Sequence, residues 1–252
     1  AFDSATVQSL SAKNWKKETA DGKIILTFEG KDADPIKIIS ATGQRATFIL
    51  LTRQQAENSW RIKIKNQERL IISKSDLMSY DNSIECRQLD DPNISFNVFP
   101  AIKNKVFFKG KEIFPIKKGI FQHYVINQPK VFPKVKLTRS SEDKMVVQMP
   151  GYLPPGLSDV ILKIDYLGGS AEALIGGKIA TDNLFNGTDW MFSLKRYLKL
   201  KQLPKEGIEF HVLPWSNNIT GVPDSLVDII KSGPKIRSVK IVPQYRAEVR
   251  IE

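Results

Sequence analysis

The chain has 252 residues, and its 38 Lys+Arg against 27 Asp+Glu give a formal net charge of +11. A hydrophobic content of 41% with 26% charged residues is typical of a folded globular protein and excludes a disordered chain. The single cysteine, Cys86, excludes an intrachain disulfide and a cysteine-built zinc site. No apolar run approaches the roughly 18–20 residues that span a bilayer, so no membrane span is expected.

Short β-prone or alternating runs follow one another along the chain, and this period of two predicts strands with one buried face. In chain order these runs are Lys23–Phe28, Ile36–Ser40, Thr47–Leu51, Trp60–Lys65, Leu70–Ile72, Ile94–Val98, Val106–Phe108, Tyr124–Ile126, Met145–Met149, Val160–Tyr166, Ile208–Val212 and Tyr245–Ile251. Helical signals are few. Thr52-Arg53-Gln54-Gln55 predicts a capping box, and Asp224 predicts the start of a second short helix.

These patterns predict an all-β protein of two β-sandwich, jelly-roll-like domains with a few short helical turns. Five prolines fall between residues 125 and 155, and prolines gather at sheet edges and linkers because they cannot donate to a central ladder. They are Pro129, Pro133, Pro150, Pro154 and Pro155. We therefore predict a β-sandwich domain over residues 1–140 and a jelly-roll, galactose-binding-like domain over residues 141–252.

The positive charge is concentrated in residues 101–140, which hold ten basic side chains and one acidic one, Glu112. Aromatic residues interleave with these charges, a pattern that suits base stacking on single-stranded nucleic acid. However, Lys103, Lys105, Lys134 and Lys136 alternate with apolar residues, as on the solvated face of a strand. The second interpretation is favoured, and we predict no nucleic-acid partner.

Aromatic residues are the candidate sugar-binding groups, because apolar sugar faces stack on exposed rings. Trp190 and Trp215 follow turn-like segments and, with Tyr166, form the candidate glycan-binding set. For both tryptophans, packing in the interior is the favoured alternative.

Oxygen ligands for a structural calcium ion are offered by Asp182 and Asn183, although capping of turns is the favoured role for such residues. No other cofactor is expected. Asp165, Asp182 and Asp189 are the candidate members of a pair of carboxylates for acid–base chemistry. No nucleophile elbow, phosphate-binding loop or His-Glu-x-x-His motif occurs in the sequence.

One long segment resembles a known family. Ile164 to Trp190 reads IDYLGGSAEALIGGKIATDNLFNGTDW and is followed by Leu194-Lys195-Arg196. It is similar to the C-terminal jelly-roll region of bacterial glycoside hydrolase family 35, the β-galactosidase-like enzymes. Weaker likeness to the same region is found in Leu213-Pro214-Trp215 and Val242–Arg246, and Ala46–Trp60 looks like the sandwich that precedes this region in such chains. Gly169 departs from the family pattern, which usually has Asp at this turn.

The resemblance implies a parent enzyme whose catalytic (β/α)₈ barrel carries two glutamates. Such a barrel needs roughly 250 residues of alternating strand and helix, a pattern that this chain lacks, so no catalytic residue is assigned to it. We expect a non-catalytic accessory β-sandwich region that supports an adjacent catalytic domain and contacts carbohydrate. The alternative is a free-standing carbohydrate-binding protein of the periplasm or cell surface. Ala1-Phe2-Asp3 shows no signal-peptide pattern, so we expect such a peptide to be already removed or outside this fragment. In both cases a periplasmic or extracellular location in a bacterium is expected.

Overall fold

The computed structural model describes residues 5–9, 15–21, 23–28, 34–40, 42–198, 206–216 and 233–252. Nearly all regular structure in these ranges is β-strand, which confirms the predicted all-β class. The strands are β1 (Ala5–Ser9), β2 (Trp15–Ala20), β3 (Lys23–Phe28), β4 (Asp34–Ser40), β5 (Arg45–Leu50), β6 (Ser59–Ile64), β7 (Gln67–Ile72), β8 (Asp76–Tyr80), β9 (Ser83–Leu89), β10 (Ile94–Phe99), β11 (Val106–Phe108), β12 (Lys111–Glu112), β13 (Ile116–Lys118), β14 (Phe121–Ile126), β15 (Lys136–Arg139), β16 (Lys144–Gln148), β17 (Leu157–Leu167), β18 (Ser170–Ile175), β19 (Lys178–Leu184), β20 (Trp190–Ser193), β21 (Ile208–Leu213) and β22 (Lys235–Ile251).

Two short helices interrupt the strands, α1 (Arg53–Glu57) and α2 (Lys195–Leu198). The capping box that opens α1 is confirmed, because the Thr52 hydroxyl accepts from the Gln55 N–H at 3.2 Å while the Thr52 N–H donates to Gln55 Oε1 at 2.9 Å. Both first-turn donors are thus satisfied locally. The helix predicted after Asp224 lies outside the described residues.

The chain divides into two units, and each unit is made of segments that are distant in sequence. Unit 1 comprises Ala1–Cys86, Ile94–Ile126 and Glu248–Glu252, and unit 2 comprises Arg87–Asn93 and Asn127–Ala247. The strand β22 therefore contributes residues to both units. The division of the chain between residues 140 and 141 stays a prediction of the sequence.

Unit 1 is built around an antiparallel five-stranded sheet in the order β13-β14-β10-β7-β6. Its core side follows the predicted alternation: Ile94, Phe96 and Val98 of β10 are fully buried, while the residues between them are half-buried. Phe96 stacks on Tyr124 of β14 with ring centroids 5.1 Å apart. Unit 1 also holds the sheet β1-β4-β5, the hairpin β2-β3, and β11, which pairs with β12 and with the last residues of β22.

Unit 2 contains the antiparallel five-stranded sheet β15-β16-β21-β18-β19, together with β17, which pairs with β20 and β22. Its interior includes Val160, Leu162, Phe192 and Phe210, all buried. Asp159 is a buried carboxylate, and both of its oxygens accept hydrogen bonds. One oxygen accepts from the N–H groups of Val160 and Lys195, and the other accepts from the Ser193 hydroxyl at 2.6 Å. These bonds fix the start of α2 against β17.

Candidate functional site

Gly168 and Gly169 form the corner between β17 and β18. A Cβ atom on Gly168 would lie 2.5 Å from Val212 Cγ1 and 2.6 Å from the carbonyl oxygen of Leu213, so only glycine fits this close approach. The N–H of Gly169 donates to that same Leu213 oxygen at 2.9 Å, and the Gly169 carbonyl accepts from Phe185. The corner therefore holds the ends of β19 and β21 together.

Tyr166, a predicted glycan-binding residue, lies inside unit 2 with 1% of its surface exposed. Its hydroxyl donates to the Asn183 carbonyl at 3.0 Å and accepts from Asn183 Nδ2 at 2.8 Å. Burial raises the pKa of this hydroxyl, and the hydrogen bond from Asn183 partly offsets that effect. The sequence could not foresee this partner, because the two residues meet only when β17 and β19 have folded into place.

Trp190 is also buried, in an aromatic cluster on β20 and β21. Its ring meets Phe192 and Phe210 edge-on at centroid distances of 5.5 and 5.6 Å. The interior packing that the sequence favoured for this tryptophan is therefore present. Trp215 differs, because it lies two residues beyond the end of β21 and is half-buried. Contact of any of the three aromatic residues with a glycan stays a prediction.

Asp182 and Asn183 do not converge. Both lie on β19, where neighbouring side chains point to opposite faces of the sheet. Asp182 is exposed, whereas Asn183 points inward to Tyr166. Within the described residues no group of three or more His, Cys, Asp or Glu side chains is arranged to hold a metal ion.

The other two carboxylates singled out in the sequence pair with cations of unit 2. Asp165 bonds to Arg237 at the β17–β22 pairing, and Asp189 lies 3.0 Å from the Lys163 ammonium. Each of these two carboxylates thus has a cationic partner, and an acid pair stays a prediction of the sequence.

A row of polar side chains crosses the outer face of the five-stranded sheet of unit 2. Lys144 of β16 lies opposite His211 of β21, His211 opposite Glu172 of β18, and Glu172 opposite Asp182 of β19. The neighbouring residues Met145, Phe210 and Ala173 are buried, while all four members of the row are exposed or half-buried. We call these four residues the polar row. It was not predicted, because it requires the register of β16, β21, β18 and β19, of which only β18 and β19 are consecutive in the chain.

The polar row is chemically mixed and has further charges nearby. Glu209, two residues before His211 on the same face, brings a carboxylate oxygen to 3.4 Å from His211 Nε2. The pKa of Asp143 is lowered, first by the hydrogen bond from the Ser141 hydroxyl and also by the nearby Lys144 and His211 side chains. The face thus combines hydrogen-bond donors with carboxylate acceptors.

Aliphatic side chains flank the polar row on both sides. In the next row on one side, Ser170 lies opposite both Leu184 and Leu213, and these leucines are 58% and 37% exposed. On the other side, Leu174 lies opposite Ile179, which is 60% exposed. Trp215 follows Leu213 by two residues in the chain and is half-buried. The arrangement therefore places polar groups between two apolar margins.

Two exposed aromatic rings lie outside the predicted glycan-binding set. In unit 2, Phe132 is 76% exposed, with the Lys130 ammonium 5.3 Å from its ring centroid, and Tyr152 is 68% exposed. The backbone beside Phe132 is fixed, because the hydroxyl of the buried Tyr245 accepts from the Val131 N–H at 2.9 Å and donates to the Val131 carbonyl. The neighbouring prolines, Pro129 and Pro133, are the signal that could have indicated a fixed surface loop.

Comparisons with known proteins give little support to any assignment. No family model matches the sequence. No curated protein matches it either. One solved structure that aligns with it is the Bacteroides ovatus mixed-linkage glucan utilization locus protein SGBP-B in complex with a mixed-linkage heptasaccharide. The alignment covers 97% of this chain and 93% of that chain at 8% sequence identity. Its TM-score of 0.20 is too low to indicate a shared fold.

In the described part of the chain, no helix is both long and apolar enough to cross a membrane.

Proposed function

We propose that this protein is a non-catalytic β-sandwich that binds carbohydrate through the outer face of the unit 2 sheet. The observation that carries the proposal is the polar row, Lys144, His211, Glu172 and Asp182, held in register across four strands. Sugar hydroxyls donate and accept hydrogen bonds at once, so a surface that places Lys144 and His211 beside the carboxylates of Glu172 and Asp182 suits them.

The apolar margins support the same function. Binding sites for small organic ligands combine apolar surface with a few well-placed polar groups. Leu184, Leu213 and Ile179 provide that surface beside the polar row, where the C–H faces of a sugar chain would lie. Because carboxylates are prominent on this face, a neutral sugar chain fits it better than an anionic one.

The finer proposal is that the chain is an accessory region of a β-galactosidase-like glycoside hydrolase. It is supported by the resemblance of residues 164–190, which include the end of β17, the corner at Gly168 that admits no side chain, and the hairpin of β18 and β19. Its partner would be an adjacent catalytic domain, and its location the periplasm or cell surface of a bacterium. The alternative, a free-standing carbohydrate-binding protein, shares the same sugar-binding face.

Sugar binding is tested by calorimetric titration of the chain with a β-linked galactan, a β-glucan and dextran. We expect saturable binding to at least one neutral polymer, and a loss of at least tenfold in affinity for E172A/D182A. D76A is the matched control, since Asp76 is an exposed strand carboxylate of unit 1, and it should change the affinity less than twofold. Absence of saturable binding to all three polymers would refute carbohydrate binding. Binding that survives E172A/D182A would refute this choice of face.

The two contexts are separated by the coding sequence upstream of Ala1. A (β/α)₈ barrel encoded there in the same reading frame supports the accessory region. A signal peptide encoded directly before Ala1 contradicts it and supports the free-standing protein.

A further inference from the structure

Unit 1 carries a group of positively charged residues that is not part of the proposed sugar-binding face of unit 2. Residues 103–118, which we call the lysine strip, hold six lysines and one acidic residue, Glu112. The six are Lys103, Lys105, Lys109, Lys111, Lys117 and Lys118, and each is exposed. None of them takes part in an ion pair among the described residues, whereas Arg53 and Arg61 of the same unit do.

The lysine strip also exposes apolar groups among its charges. Phe114 is 75% exposed and Ile116 is 62% exposed, and they lie between Lys111 and the pair Lys117-Lys118. The Lys109 ammonium lies 5.1 Å from the centroid of the Phe108 ring. Lysines that served only solubility would not require a phenylalanine and an isoleucine held in water beside them.

One structural role explains part of the strip. β13 is an edge strand of the five-stranded sheet of unit 1, and lysines on an edge strand discourage pairing with other chains. This role accounts for Lys117 and Lys118. It does not account for Lys103, Lys105 and Lys109, nor for the exposure of Phe114.

From these exposed charges and apolar side chains we propose that the lysine strip binds a polyanionic polysaccharide, a chain of carboxylated or sulfated sugars. The ammonium groups meet the anionic substituents, and Phe114 with Ile116 contacts the apolar faces of the sugar rings. The proposal concerns unit 1 and is independent of the neutral-sugar face of unit 2, so either can fail without the other.

Nucleic acid is the competing polyanion, and two features of unit 1 speak against it. Stacking of successive bases needs several exposed rings, but Phe121 and Tyr124, which follow the strip in sequence, are buried at 7% and 1% exposure. The strip also contains no arginine, the side chain whose planar fork grips phosphate with two hydrogen bonds. Lysine ammonium groups act as point charges and suit carboxylate or sulfate equally well.

The test is fluorescence anisotropy of labelled polymers titrated with the full chain over a range of salt concentrations. The probes are heparin as a sulfated glycan, polygalacturonate as a carboxylated glycan, neutral dextran, and a mixed-sequence single-stranded DNA of 20 nucleotides. We expect at least one acidic glycan to bind more tightly than dextran and DNA. The logarithm of the affinity should fall linearly with the logarithm of the salt concentration.

Variants locate the binding. K103Q/K105Q removes two lysines that the edge-strand role does not explain; it should weaken acidic-glycan binding about tenfold at low salt and reduce the salt slope by about 1.5. F114S should weaken it about threefold without changing the slope, because it removes apolar contact alone. K63Q/K74Q is the matched control: it removes two exposed lysines of the same unit and should change the affinity less than twofold. Circular dichroism melting checks that each variant is folded.

The outcomes are decisive in both directions. Salt-dependent binding that K103Q/K105Q weakens and the control leaves intact supports the proposal. An equal effect of the control pair would show that net charge alone is responsible and would overturn it. DNA binding tighter than that of both acidic glycans would overturn it in favour of nucleic acid, and absence of binding to either acidic glycan at low salt would also overturn it.

Discussion

Replacing Gly168 by alanine should strongly destabilise unit 2. The added Cβ would lie 2.5 Å from Val212 Cγ1 and 2.6 Å from the Leu213 carbonyl oxygen, well inside van der Waals contact. Val212 is buried at 2% exposure and has little room to move. The Leu213 oxygen belongs to the backbone and is held by the Gly169 N–H at 2.9 Å, so relieving the clash means lengthening or breaking this hydrogen bond.

The magnitude follows from these two effects. Overpacking of a tight interior costs about 1–3 kcal/mol, and loss of one backbone hydrogen bond costs about 1 kcal/mol. We therefore expect the free energy of unfolding to fall by about 2–4 kcal/mol, which corresponds to a fall in Tm of roughly 4–16 °C for a chain of this size. The assay is urea unfolding followed by circular dichroism, with a thermal melt for comparison.

G151A is the matched control for this experiment. A Cβ on Gly151 would meet no atom within 4 Å, and its backbone is not in the left-handed region. The same chemical change should there be neutral or stabilise by up to about 1 kcal/mol, because alanine restricts the unfolded chain. A loss of less than about 0.5 kcal/mol for G168A, indistinguishable from the control, would refute the close-approach argument.

Three further predictions rest on buried groups. D159A should lower the free energy of unfolding by about 3–5 kcal/mol in urea titration, because three donors lose their acceptor. D159N keeps one acceptor oxygen and should lower it by less than half as much. Equal losses for the two variants would contradict this explanation. Burial raises the pKa of the Cys86 thiol to about 12. At pH 8 the native protein should therefore react with a disulfide reagent at least tenfold more slowly than the urea-unfolded chain. Equal rates would show that the thiol is accessible. Burial also raises the pKa of Tyr124 to about 12, above its usual value near 10. The unfolded tyrosine therefore ionises first, and this contribution to stability is full below pH 10 and is lost between pH 10 and 12. Urea midpoints should show this fall in the wild type and a smaller one in Y124F; an identical fall in both would point to other groups.

The strands were largely predictable from local pattern, because alternation needs only neighbouring residues. Ile94, Phe96 and Val98 lie on the buried side of β10 as the period of two requires. The capping box at Thr52 was equally local, since its two hydrogen bonds join residues three positions apart. Such features depend only on residues that are close together in the sequence.

The candidate site was less predictable, because it depends on contacts between strands that are distant in sequence. The polar row needs β16, β21, β18 and β19 to lie side by side, an order that the sequence does not contain. Alternation also cannot tell which aromatic side chains are covered. Tyr166 and Trp190, members of the candidate glycan-binding set, lie in the interior, whereas Phe132, outside that set, is exposed.

The division of β22 between the two units has a consequence for folding during synthesis. The strand β11 in unit 1 pairs with β22 through Val106↔Ile251, Phe107↔Arg250 and Phe108↔Val249. Although most of unit 1 leaves the ribosome early, this pairing cannot form until residues 249–251 have been made, and such long-range pairing slows folding. A fragment cut after residue 140 would leave one side of β11 without its partner. Unit 1 is thus encoded at both ends of this sequence and can be completed only after unit 2 has been translated.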